Sequence, residues 1–143
     1  MAILGHFLDS GAFSLKTVAR RYYEQHGGDR WDYFHTDYFW QYMECYVRYV
    51  KKYKNAIDYY ANVDVIGNPE LSWRNQQWLE SKGLNPVPVV HYQQNTACGL
   101  AWVRHYLARG HDLIALGGLV RPGQSQQTEK WLAACFDLIC RNK

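Results

Sequence analysis

Four strand-length apolar runs punctuate this chain and leave few folds open to it: Ile3 to Leu8, Ile57 to Ile66, Val87 to Tyr92 and Leu113 to Val120. Each is rich in β-formers and each is followed by turn residues. Strand starts near residues 3, 57, 86 and 112 put 29 and then 26 residues between the later three, the length of a right-handed βαβ unit. The sheet is therefore expected to be parallel. The first interval is about twice as long, so a Gly27-Gly28-Asp29 break and the aromatic stretch Trp31 to Phe34 should belong to an elaborated first crossover holding two helices.

Helical patterns fill the intervals. Phe39, Tyr42, Met43, Tyr46, Val50 and Tyr53 recur at three- and four-residue spacing, which predicts an amphipathic helix over 37–53 with Lys51 and Lys52 on its outer face. Asn68-Pro69-Glu70 is an N-cap, a first-position proline and an early acid, and Lys82-Gly83 is a basic last turn with a terminal glycine, so 69–82 should be helical. Further helices are expected from Leu15 to about His26, from Asn95 or Thr96 to Gly110, and from Gln126 to Cys140. The expected architecture is α/β: one domain over 1–143, a parallel (βα)4 unit equal to half of a TIM-type (βα)8 barrel. A full barrel needs about 250 residues, and a small doubly wound sheet is the other use of four such units.

Composition narrows the partners. With 143 residues, 48% of them apolar, the chain can bury a core and is not a disordered tail. Sixteen Lys and Arg against thirteen Asp and Glu leave +3, which permits contact with a polyanion but is not a dense basic stripe. No apolar run nears the roughly 18 residues that cross a bilayer, so no membrane partner is expected. The start, MAILGHFLDSGAF, lacks a basic leader and a long apolar segment, which points to the cytoplasm. Cys45, Cys98, Cys135 and Cys140 are too scattered for a zinc site or a disulfide framework and read as buried thiols. Neither a metal nor another cofactor is expected.

The strand ends carry a resemblance. Leu8-Asp9-Ser10-Gly11-Ala12-Phe13 follows the first run, Val63-Asp64-Val65-Ile66-Gly67 ends the second, and Ala115-Leu116-Gly117-Gly118-Leu119-Val120 ends the fourth. In this order they resemble the DSGGF-type segment, the mid-barrel aspartate and the GGL segment of the tRNA-guanine transglycosylase superfamily. NVDVIGNPELSWRNQQWLESKGLNPVPVVHY is similar to small phage-encoded relatives associated with inserting 7-deazaguanine bases into DNA. The resemblance implies a base exchange that replaces guanine by a 7-deazaguanine in nucleic acid, DNA before tRNA, in a host cytoplasm if the gene is a phage's. It implies Asp9 as the catalytic acid/base and Ser10, Asp64, Gly117, Gly118 and Leu119 around the base. His91 stands where the family often has glutamine. The family's covalent nucleophile, an aspartate beyond the GGL segment, has no counterpart here, so the resemblance also implies a second half-barrel chain or a homo-oligomer. The cysteine-rich zinc segment of the tRNA enzymes is absent.

The chemistry is coherent without the resemblance. Strand ends of a parallel β/α barrel face the ligand, so Asp9, Asp64, His91 and Gly117-Gly118 would converge. A purine edge presents N–H donors to a carboxylate such as Asp64, and glycine backbone approaches where a side chain would clash. A carboxylate such as Asp9 suits proton transfer to and from the ring if partial burial raises its pKa. His91 could read the base edge, in a role set by its protonation state. An open half-barrel would leave an inward apolar face, Phe7, Val63, Val89 and Ala115, to be covered by a partner. Each feature also has a structural reading: an Asx turn at Asp9, an ion pair at Asp64, a core histidine at His91, a bulge at the paired glycines. A non-catalytic purine- or nucleic-acid-binding or structural phage protein, and an unrelated small α/β enzyme, are the competing functions.

Overall fold

A computed structural model describes residues 5–92, 96–119 and 125–142. Ile3, Asn95 and Val120, which open or close expected elements, lie outside the described residues. The chain divides into two compact units, Met1–Pro86 and Val87–Lys143.

In the first unit β1 (Phe7–Leu8) leads into α1 (Ala12–His26), a 3-10 turn (Asp32–His35), α2 (Asp37–Lys52), β2 (Tyr59–Tyr60) and α3 (Pro69–Ser81). The strands pair in parallel, Phe7 opposite Tyr59 and Leu8 opposite Tyr60. The long first crossover thus holds two helices. Thr36 caps α2 by accepting from the Phe39 N–H at 3.3 Å, and Asn68 caps α3 by accepting from the Leu71 N–H at 3.0 Å, with Pro69 just inside. Phe39, Met43, Tyr46, Val47 and Val50 turn one face of α2 into the core, against Leu15 and Ala19 of α1, Tyr33 and Phe34 of the 3-10 turn, and Val63, Val65 and Leu79. Tyr53, expected on that stripe, is exposed instead, because α2 ends at Lys52.

In the second unit β3 (Val89–His91) and β4 (Ala115–Gly117) pair in parallel across α4 (Thr96–Ala108), and α5 (Ser125–Arg141) follows. Trp131 of α5 is fully buried, its ring edge-on to Tyr92 with centroids 5.6 Å apart. Gly99 makes room for the indole: a Cβ there would stand 2.8 Å from Trp131 Nε1.

The fold class is α/β with parallel strands, as the run spacing predicts. Among the described residues the hydrogen-bonded sheets have two strands each, β1-β2 and β3-β4, rather than four in one. The strands are also shorter than the apolar runs. Val63, expected on an open inward face, is wholly buried. Cys45 and Cys140 are exposed and Cys98 partly so; Cys135 alone is the buried thiol expected of all four, its pKa pushed up to about 11 by burial. No helix among the described residues is long and apolar enough to cross a membrane.

Candidate functional site

Asp9, Ser10 and Gly11 form the turn from the carboxyl end of β1 into α1. Gly11 turns the chain with a left-handed φ of 74°, and a Cβ there would meet the Tyr42 hydroxyl at 2.9 Å. That hydroxyl donates to the Ser10 carbonyl. One helical turn further along α2, the Tyr46 hydroxyl donates to the Ala61 carbonyl at 2.6 Å, just past β2. Two tyrosines of one helix thus hold the carboxyl ends of neighbouring parallel strands. Burial raises the pKa of both, and nearby charge adds to it: Asp9 acts on Tyr42, while Tyr42, Tyr60, Asp9 and Asp64 all act on Tyr46. Asp9 and Asp64 therefore lie within electrostatic reach of one phenol.

The two carboxylates differ in setting. Asp64 is 3% exposed, whereas Asp9 stands open to solvent. The partial burial that would suit Asp9 to proton transfer is not supplied by the chain's own packing. Ser10 is buried, and its Oγ has no hydrogen-bond partner among the described residues. The first turn of α1 has neither a side-chain cap nor an acidic residue, so its N–H groups stay available beside Asp9.

Asp64 is positioned from below by α3. Asn75 Nδ2 donates to the Val63 carbonyl at 2.8 Å, the Val65 N–H donates to Ser72 Oγ at 2.8 Å, and Asn62 Nδ2 donates to the Ser72 carbonyl at 2.8 Å. Gln76 Nε2 donates to the Pro86 carbonyl at 2.9 Å. Side chains of one helix thereby satisfy backbone that a neighbouring strand would otherwise pair. This polar face, Ser72, Asn75 and Gln76, was not foreseen; a run of polar residues at helical spacing in the middle of 69–82 was its only signal.

In the second unit His91 and Gly117 are opposite one another at the carboxyl ends of β3 and β4. The imidazole lies over Gly117, where a Cβ would stand 2.8 Å from both Cε1 and Nδ1. Gly118 has a left-handed φ of 74°, and a Cβ there would press on the Tyr92 N–H at 3.2 Å. Leu119 is exposed just beyond. The structure thus joins Asp9, Ser10 and Asp64 within the first unit, and His91, Gly117, Gly118 and Leu119 within the second. No group of three or more metal-ligating side chains occurs among the described residues. No family model, curated protein or solved structure matches the chain.

Proposed function

We propose that this chain is a half-barrel, transglycosylase-like protein that binds guanine or a 7-deazaguanine base destined for nucleic acid. The observation that carries the reading is the placing of Asp9 directly after β1 and of a buried Asp64 shortly after β2, past the carboxyl ends of a parallel strand pair. Asp64, already withdrawn from water, accepts N–H donors of the purine edge. Ser10 Oγ gains in the ligand the partner it lacks in the chain, and a buried hydroxyl left unpaired costs about 1–3 kcal/mol. The α1 N–H groups face acceptor atoms of the ring. Asp9 moves the proton to and from the exchanging base once the ligand or a covering chain shields it from water. Within the second unit, His91 and the Gly117-Gly118 backbone offer base-edge contacts at the carboxyl ends of β3 and β4.

The attack on the sugar is assigned to a second half-barrel chain or another copy. Asp137, the aspartate that follows the Gly117-Gly118 turn, lies on α5 rather than on a strand and is ion-paired with Arg141 at 2.9 Å. Base binding without exchange is the second reading, and the exposure of Asp9 favours it for the isolated chain.

Calorimetry with guanine and 7-deazaguanine tests the assignment. Asp64→Asn keeps the shape but loses a charge-assisted pair worth roughly 1.5–3 kcal/mol, so its affinity should fall about 10- to 150-fold. Asp9→Asn should bind the base nearly as well as the parent chain. Equal affinity in a well-folded Asp64→Asn, or no purine binding by the assembled protein, removes the reading.

A further inference from the structure

The outward side of the last turns of α2 and the segment after it take no part in the site above. Residues 45–57 hold four cations, Arg48, Lys51, Lys52 and Lys54, and no carboxylate. All four are exposed, and among the described residues none of them is ion-paired. Elsewhere in the unit Arg20 pairs with Glu24, and Lys82 with Glu44, while Lys16, Arg21 and Arg30 have no ion pair among the described residues.

Between these cations stand two open aromatic rings. Tyr49 and Tyr53 are 49% and 40% exposed, one helical turn apart, with ring centroids separated by 4.7 Å. Lys52 Nζ lies 5.2 Å from the Tyr53 ring. At 100° per residue, Arg48, Lys52 and Tyr49 span about 100° of the outward side of α2, away from the buried stripe of Met43, Tyr46 and Val50, and Tyr53, the residue that ends the helix, lies beside Tyr49. Attraction between cations and the helix carboxyl end accounts for Lys51 and Lys52. It does not account for two tyrosine rings kept in water beside them.

We propose that this face of α2 docks single-stranded nucleic acid, with phosphates on Arg48, Lys52 and the flanking lysines and unstacked bases on Tyr49 and Tyr53. Cations that track a backbone and rings that offer a stacking platform are the two parts such a surface needs. A duplex would satisfy the cations but hides its base faces from the rings. An anionic membrane or an acidic protein engages charges and tyrosine rings in other ways, and the oligonucleotide and vesicle arms of the test separate these from a single strand. The surface goes beyond the base-pocket reading and stands whether or not Asp9 and Asp64 hold a base.

Fluorescence polarisation of a labelled oligothymidylate, about twelve nucleotides long, with the full chain is the test. Binding should weaken with salt, with a log–log slope of about −0.7 for each phosphate neutralised. Replacing Arg48, Lys52 and Lys54 together by Gln should remove about 2 from that slope. Tyr49→Leu and Tyr53→Leu should each weaken binding about tenfold at fixed salt, while Tyr→Phe at either position retains it, because the ring face is what the base uses. These positions are exposed, so unchanged melting curves will show the variants folded. Guanine calorimetry on the same variants should be unmoved, which separates failure here from failure of the base pocket. Absence of salt-dependent binding overturns the proposal. Leu variants that bind as tightly as the parent chain overturn it in favour of a generic polyanion contact, and binding of phosphatidylserine vesicles without oligonucleotide binding overturns it in favour of a membrane.

Discussion

Tyr46 shows how much one side chain contributes to the candidate site. Its ring fills the core, and its hydroxyl holds the Ala61 carbonyl from a buried position. Tyr46→Phe keeps the ring but strands that carbonyl, so the chain should lose about 1–3 kcal/mol, read as a lower urea midpoint with an unchanged slope. The carboxylates were legible in the sequence because each is a lone charge at the end of an apolar run. Tyr42 and Tyr46 were legible only as part of a buried stripe. Helical spacing says which face a tyrosine occupies, but not which carbonyl its hydroxyl reaches, 32 residues away for Tyr42 and 15 for Tyr46. The clamp therefore emerged only with the crossover geometry.

At the scale of the element, α3 and α4 each carry a consequence. The limits of α3 follow from its cap, its proline and its closing glycine, all local signals, and the observed Pro69–Ser81 differs from the expected 69–82 by one residue. Its polar inner face depends on distant backbone in need of partners, so no local pattern announces it. Asn75→Ala leaves the Val63 carbonyl buried and unpaired and opens a void, and should cost more than 2 kcal/mol in denaturant unfolding. On α4, His105 has its pKa lowered from the ordinary 6.5, first by burial, then by Arg109 and His111. Arg109 Nη1 lies 3.0 Å from His105 Nδ1, which suits a neutral ring as acceptor. The unfolded chain takes up this proton more readily than the folded one. The stability that His105 contributes is therefore complete above about pH 6.5 and is lost as pH falls through its lower folded value. Melting temperatures measured from pH 7.5 down to 5 should fall, and His105→Gln should flatten part of that fall.

For the whole molecule, the run spacing conveyed parallel strands and a two-helix first crossover. It did not convey the division at Pro86, because apolar periodicity is silent about how many strands hydrogen-bond together. The β1-β2 pair leaves Phe7 and Tyr59, opposite one another, 53% and 52% exposed. At about 25 cal/mol per Å², covering a few hundred Å² of such surface contributes roughly 5–10 kcal/mol before association costs. Sedimentation at micromolar concentration should accordingly show a dimer or larger species, and Phe7→Ser with Tyr59→Ser should shift it to the monomer. A sharply melting monomer in the parent chain would count against a shared barrel. The grip of α3 on residues 61–65 has a further effect in a crowded cell. Ala-Asn-Val-Asp-Val-Ile is a β-prone hexapeptide with a single charge, the sort of stretch that stacks into fibrils once its backbone is bare. With Asn75 and Ser72 occupying that backbone, the same side chains that steady Asp64 also deny the hexapeptide to other copies of itself.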